Sequence, residues 1–406
     1  MDNSIIKLAE RNDCTGCMAC GDVCPKGCIS FVEESDGFWY PRINSNLCIR
    51  CKSCQKVCPI VSPYQENVAI IPRAYAAWLD DVKIRKTSAS GGAFYALASQ
   101  IIKEGGYVAG AVFDGYKVKH ILTNSLADLE RIQGTKYFQS QPAGIYQSIR
   151  LLLRDGIKVL FSGTSCQVAG LLNIVGDERK NLITVDLICF GVPSSLIIGV
   201  EERMRRKKIK RIIKNRDKEH NGGWRNVYYM TCEWEDGTIT VSSPNQSFML
   251  GSFCSGKVMR MSCYHCPFKK ISRQSDLTIG DYHCVNAFDE EKTDGISLVY
   301  VHSDKGAQLL LDNTAITVHE RDIQESLPFK RTIYYNDSVY EKCAARRFMT
   351  PLLHKSPLWF LNIIYRSIVK SKNPLIWPFT AIDVFYFWLN NRKAKKEKDR
   401  IIKLIQ

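Results

Sequence analysis

Two cysteine runs carry the most explicit chemistry in this chain. Cys14, Cys17, Cys20, Cys24 and Pro25 follow the spacing C-x2-C-x2-C-x3-C-P, and Cys48, Cys51, Cys54, Cys58 and Pro59 repeat it. A cubane iron–sulfur cluster needs four thiolates: a tight C-x2-C-x2-C loop supplies three, and in two-cluster proteins the fourth crosses from the other run. The spacing therefore predicts one 4Fe–4S cluster on Cys14, Cys17, Cys20 and Cys58 and a second on Cys48, Cys51, Cys54 and Cys24. Zinc also takes four thiolates at short spacing, but usually from paired cysteines rather than runs of three with a remote, proline-marked fourth. Cys28 lies outside the pattern and reads as a packed free thiol.

Four further cysteines stand where loops of an open α/β sheet gather. Cys166 and Cys189 each follow a buried-strand pattern, "IKVLFSG" and "NLITVDLICFG", and Cys263 and Cys266 form a C-x2-C pair before Pro267. On spacing alone these are either ligands or buried apolar thiols. Cys232, Cys254, Cys284 and Cys343 read as structural.

The elements that must position these thiols follow from periodicity and turn signals. Between the two runs, "ISFVEESDGFWYPRIN" alternates like strands about an Asp-Gly turn. So small a segment buries too little apolar surface to fold alone, and ligated metal would hold it together. A polar, proline-marked linker follows at residues 63–73. From about Ala74 the texture is α/β: "ASGGAFYALASQIIKEGG" reads as turn, helix and stop, "YVAGAVF", "SDLTIGDY" and "GISLVYVHS" as strands, and "VYYMTCEWEDGTITVSS" as a hairpin on Asp236-Gly237. The expected fold is α/β with α+β elements: a two-cluster module over 1–62, a central domain over 74–345, and a basic, aromatic helical tail over 346–406.

Composition bounds the rest. With 406 residues, 45% of them hydrophobic, two or three domains can each bury a core. The start of the chain has no apolar leader and no stretch approaches about 20 apolar residues, so the expectation is a cytoplasmic protein without a spanning helix. An odd total of 17 cysteines also argues against a disulfide framework. The net charge of +15 is concentrated at residues 203–218 and 390–406. Such runs are solvated helix faces, or docks for an acidic redox partner, an anionic cofactor or a membrane surface. No recognition motif accompanies them, so nucleic acid is not an expected partner. A Ser–His–Asp triad, a P-loop and a G-x-G-x-x-G fingerprint are all missing, which sets aside hydrolases, P-loop enzymes and ordinary dinucleotide binding.

With these residues in view, the first sixty positions resemble a bacterial-type two-cluster ferredoxin. Residues from about Ala74 to Ala345 resemble the family of coenzyme F420 hydrogenase/dehydrogenase beta subunits, which includes the hydroxymethyl chlorophyll reductases. The resemblance is carried by "SASGGAFYAL", "GTKYFQS", "LFSGTSCQVAGL", "DLICFGVPS", "SCYHCPFK", "SDLTIGDY" and "DGISLVYVHSDKG". It implies a third 4Fe–4S cluster on Cys166, Cys189, Cys263 and Cys266 beside an FAD. It also implies cofactor contacts from Ser90, Gly91, Gly92, Gly134, Thr135, Lys136, Tyr137, Ser140, Gln167, Asp276, Gly280 and Asp281. In the residues themselves, small side chains at a helix start suit an anion such as a pyrophosphate, Lys136 offers charge and Tyr137 an aromatic face. Ser165 stands where the family commonly has proline, Phe190 where histidine is frequent, and His283 and Cys284 where an aromatic and a small residue are usual.

The implied function is an iron–sulfur flavoprotein oxidoreductase passing electrons between clusters and FAD, to reduce or oxidise an F420-type deazaflavin or another small molecule. The alternative is a non-catalytic electron-transfer subunit docked to a separate redox enzyme. Expected partners are a redox protein, either a ferredoxin or an oxidoreductase subunit, and a small-molecule substrate or coenzyme, with peripheral membrane contact through the tail as a further option. His283 and Tyr282 are candidate proton donors only by their place in the motif.

Overall fold

The computed structural model describes residues 6–326 apart from 64–70, 219–222, 225–228, 284, 286, 289–290 and 292. Cys284, Cys343, most of the 63–73 linker, the end of the 74–345 region and the 346–406 tail lie outside the described residues. Among the described residues, no helix is long and apolar enough to cross a membrane.

The strands in chain order are β1 (Ile29–Glu33), β2 (Trp39–Ile43), β3 (Arg73–Leu79), β4 (Tyr107–Asp114), β5 (Lys117–Thr123), β6 (Ser140–Gln141) and β7 (Val159–Gly163). They continue with β8 (Leu182–Leu187), β9 (Ile209–Lys214), β10 (Met230–Trp234), β11 (Ile239–Ser242), β12 (Leu277–Asp281), β13 (Ser297–Val301) and β14 (Ile316–Arg321). A nine-stranded mixed sheet runs in the order β14-β3-β13-β12-β8-β7-β4-β5-β6. Its middle strands β12, β8, β7 and β4 are parallel neighbours. Strands β7, β8 and β13 are buried almost end to end, as apolar runs covered on both faces should be.

One face carries helices Ala93–Lys103, Leu126–Ile132 and Asp304–Leu311. The other carries Ile145–Arg154 and Ser165–Val175. Local capping explains where several begin. Asp81 accepts from the Ile84 N–H, Ser303 from Gly306, and Thr164 with Gln167 forms a capping box at the helix bearing Cys166. Strands β9, β10 and β11 form a separate antiparallel sheet that packs with helices Leu196–Arg205 and Phe248–Ser255. The β10–β11 hairpin turns on Asp236-Gly237 as the sequence suggests, with Gly237 at φ 80°.

The basic run at 203–218 differs from a solvated helix face. Its second half is strand β9, because Ile209 and Ile212 face the small sheet's core. Its charges are largely paired: Lys207 with Asp236, Lys208 with Glu202, Lys210 and Arg211 with Glu233, and Arg216 with Asp281. Lys218 is buried and donates to the carbonyls of Arg85, Ser90 and Asp294.

Two histidines inside the large domain tie its stability to pH. His120 stacks on Phe161 with Nε2 3.2 Å from the Ser162 carbonyl oxygen, and His302 Nε2 lies 2.8 Å from Thr278 Oγ1. Burial depresses both pKa values from 6.5 to about 4. The unfolded chain therefore binds more protons than the native one between those limits, so stability is full above about pH 6.5 and falls as pH drops toward 4. Each histidine contributes on the order of 3 kcal/mol to that loss. Urea midpoints measured from pH 7 to 4 should decline, and His120→Gln should flatten the decline; an unchanged slope in the variant counts against the assignment.

Candidate redox site

The N-terminal thiols stand in two rings. The Cys17 thiol has Cys14 and Cys58 as neighbours, and Cys20 has Cys17, Cys14, Cys58 and, from the second run, Cys54. Cys54 faces Cys51 and Cys24, while Cys28 borders Cys24 and Cys48. Cys24, Cys48, Cys51 and Cys54 line a small open cavity walled by Ile29 and Ile43. Among the described residues no three His, Cys, Asp or Glu side chains close around a point as one metal ion requires. Burial pushes the Cys17 thiol up to about 12, and Cys20 higher still. Such thiols stay protonated until a metal displaces the proton, so loading the first ring releases acid. Cys28 is buried as expected, with its Sγ 3.3 Å from Cys24 Sγ.

The module is fastened to the large domain by groups the sequence reading did not single out. Arg260 is fully buried and donates to the carbonyls of Cys14 (2.6 Å) and Trp39 (3.1 Å) and to Gln139 Oε1 (3.2 Å). Its guanidinium also lies 4.3 Å from the Tyr40 ring centroid. Ser262 Oγ donates to the same Cys14 carbonyl. Asp22 accepts the N–H groups of Gly144 and Tyr146 at the start of helix Ile145–Arg154, an anion at a helix N-terminus. The buried Tyr146 hydroxyl donates to the Cys17 carbonyl. The module packs closely on Gly170, where a Cβ would lie 3.0 Å from Ala19 Cβ and 3.3 Å from Cys17 Sγ, tighter than most side-chain contacts. The one available signal was a lone arginine inside the apolar stretch "VMRMSC".

A third thiol group forms at the edge where parallel strands end. Cys166 opens helix Ser165–Val175 after β7, and Cys189 follows β8. Cys166 has Cys266, Cys17 and Cys189 as neighbouring thiols, and Cys189 has Cys263 and Cys266. The structure thus brings together all four cysteines implied by the resemblance and sets Cys17 of the first ring beside them. Arg273 ties the two loops: its NH1 donates to Ser165 Oγ (2.5 Å), Asp186 Oδ2 (2.9 Å) and the Leu187 carbonyl (3.1 Å). Ser165, in the usual place of proline, supplies one of those contacts. Tyr137 stacks on Phe253 at 3.8 Å and Phe190 meets Phe253 edge-on at 5.7 Å. With Met259, Met261 and Tyr264 they form an apolar cover against Cys263.

The residues expected at the flavin divide into two kinds. Ser88 and Thr87 both bond Gln133, which joins the Ser90–Gly91–Gly92 turn to the loop holding Gly134, Thr135, Lys136 and Tyr137 in one rim. Ser140 accepts from Gln167, and Asp281 pairs with Arg216 at 2.6 Å on the same edge of the sheet. Others are taken up within the fold. Gly91 is pressed on strand backbone, with a Cβ 2.4 Å from the Ala77 carbonyl oxygen, and a Cβ on Gly280 would strike Ile188. Lys136 caps helix Leu126–Ile132 by donating to the carbonyls of Arg131, Ile132 and Gln133, and burial brings its pKa down to about 7. Asp276 accepts from Thr184 and Ser303 inside the core. Asn215, beside Arg216, was missed: its amide is 1% exposed, and neither polar atom has a hydrogen bond among the described residues. His283 stacks on Trp224 at 4.3 Å, and Tyr282 is buried.

Residues 156–325 match the family model for the C terminus of the coenzyme F420 hydrogenase/dehydrogenase beta subunit, and residues 13–61 match the "4Fe-4S dicluster domain". The F subunit of the F(420)H(2) dehydrogenase of Methanosarcina mazei is 22% identical over 200 residues, covering 47% of this chain and 56% of that protein. An uncharacterized ferredoxin of Methanocaldococcus jannaschii is 36% identical over 52 residues, 13% of this chain and 66% of its own. The chain thus spans less than two thirds of either relative's length. A chain of the F420-reducing NiFe hydrogenase complex from Methanosarcina barkeri aligns over 70% of this chain and 94% of its own, with 17% identity and a TM-score of 0.46.

Proposed function

From the premise that residues 156–325 belong to the family formed by the C-terminal part of coenzyme F420 hydrogenase/dehydrogenase beta subunits, and residues 13–61 to the 4Fe–4S dicluster domains, we propose an iron–sulfur flavoprotein oxidoreductase acting on a small organic substrate or coenzyme. The observation that carries this reading is the junction of thiol groups, where Cys17 of the first ring meets the helix opened by Cys166. The proposed ligands are Cys14, Cys17, Cys20 and Cys58; Cys24, Cys48, Cys51 and Cys54; and, for a third cluster, Cys166, Cys189, Cys263 and Cys266.

FAD, when bound, would supply the exchange between one-electron and two-electron chemistry. The residues proposed to hold it are Ser90, Gly92, Gly134, Thr135, Tyr137, Ser140 and Asp281. The buried, unpaired Asn215 amide fits this reading, because it offers one donor and one acceptor face to a polar heterocycle. Arg273, paired with Asp186, fixes the loops of Cys166 and Cys189 relative to one another through Ser165 and the Leu187 carbonyl. The cover built on Tyr137, Phe253 and Phe190 packs an apolar wall against one side of the partly buried Cys263. An F420-type deazaflavin is the substrate class suggested by the relatives' names.

A second reading, an electron-transfer subunit serving a separate catalytic chain, is favoured by the relatives being named as parts of complexes. The test is direct. The purified chain, reduced anaerobically with dithionite, is mixed with deazaflavin and other organic acceptors. Turnover of an organic acceptor supports the enzyme; reoxidation only by other proteins overturns it in favour of the second reading. Flavin analysis of the same sample should find about one FAD per chain.

A further inference from the structure

The two cysteine runs are sequence repeats, yet the fold treats them in opposite ways. Aligned by their cysteines, Gly16 corresponds to Arg50 and Met18 to Lys52, and all four have positive φ, 70°, 56°, 65° and 61°. The shared backbone is the loop that wraps a ring of thiols. In the first copy these positions are buried against the large domain. A Cβ on Gly16 would meet Gln139 at 2.5 Å and Arg260 at 2.9 Å, and Met18 is 3% exposed. In the second copy the same loop faces outward: Cys51 is exposed, as are Leu47 at 54% and Ile49 at 58%.

We propose that this outward loop is the docking surface for a small acidic electron-carrier protein, so that electrons enter or leave the chain through the ring of Cys24, Cys48, Cys51 and Cys54. The proposal rests on reading the N-terminal rings as cluster sites, and it needs neither FAD nor the third thiol group. Charge complementarity selects the partner. Lys26, Ile49 and Lys52 line the mouth of the cavity, with Arg50 alongside, and no Asp or Glu occurs between Gly37 and Pro63. Exposed apolar side chains on the same loop as these cations supply surface that a partner can desolvate and charge that steers it. The long basic run at 203–218 lies elsewhere, with its second half on strand β9 of the small sheet. In the transfer the carrier is oxidised by one electron and the chain's iron–sulfur centres are reduced by one, with no bond, proton or leaving group exchanged.

The test uses the full-length, iron-loaded protein and a purified acidic two-cluster ferredoxin as the probe, with the dissociation constant measured by titration calorimetry. Binding should weaken about tenfold or more between low and physiological salt. Lys26→Glu and Arg50→Glu should each weaken it about fivefold or more at low salt, whereas Arg211→Glu should leave it within about twofold. Iron content and the reduced-state paramagnetic spectrum report whether a variant still holds its clusters. If both charge variants lose iron, Leu47→Ser, at an exposed side chain, decides by the same measurement. Wild-type strength in iron-loaded Lys26→Glu and Arg50→Glu, an equal loss in Arg211→Glu, no binding by the wild type, or self-association in its place overturns the proposal. Since binding is read without turnover, failure of the proposed enzymatic reaction leaves this result separately interpretable.

Discussion

Cys263→Ser should lower the iron content of the anaerobically purified chain from about twelve atoms to about eight, while the N-terminal centres remain reducible. The geometry makes the loss selective. Cys263 neighbours Cys189 and Cys266 and packs against the Phe253, Met259 and Met261 cover, whereas the N-terminal rings draw on other cysteines. Serine removes the soft ligand with little change of volume, so the fold should survive and thermal unfolding should move little. Reduction of an organic acceptor should drop to background. Iron analysis with spectroscopy of the reduced state checks this. Twelve atoms in the variant would mean the four thiols are misassigned, and eight in the unmodified chain would remove the third cluster outright.

Arg260→Met should cost about 3–5 kcal/mol of stability and loosen the N-terminal module. The guanidinium lies at zero exposure, with the Cys14 and Trp39 carbonyls as acceptors and the Tyr40 ring 4.3 Å away. Methionine fills much of the volume but removes the donor to the Trp39 carbonyl, leaves the Cys14 carbonyl with Ser262 alone, at about 1–3 kcal/mol for an unmet acceptor, and loses the ring contact. Lysine keeps the charge without the planar fork, so Arg260→Lys should recover only part of the loss. Denaturant unfolding of the iron-loaded protein measures the first effect. Protease cleavage between module and body, compared with the unmodified chain, measures the second. An unchanged midpoint in Arg260→Met would show that the module is held by its other contacts.

Much of the fold was legible because short-range signals agree with it. The buried runs "IKVLFSG" and "GISLVYVHS" are β7 and β13, and the Asp-Gly turn makes the β10–β11 hairpin. Strand β9 was hidden, because its charges read as a helix face until Ile209 and Ile212 found the small sheet's core. The flavin contacts rest on the family resemblance, and residue type alone says little where smallness or charge also has an internal use. Gly91 is small because backbone presses on it, and Lys136 is charged for a helix end.

What the sequence determined by itself is the iron–sulfur dicluster character of the first sixty residues, since a C-x2-C-x2-C loop gathers three sulfurs around one centre and repeats with a proline-marked fourth. It also determined the order of the α/β elements through apolar periodicity, a property of neighbours along the chain. Only the tertiary structure decided which repeat faces the large domain and which faces solvent, that Cys17 meets Cys166, and that Arg260 joins the module to the body. Those contacts link positions more than a hundred residues apart. Their geometry depends on how the sheet and the helices Ile145–Arg154 and Ser165–Val175 stack, and no local pattern encodes a distance between two surfaces that meet only after each has folded.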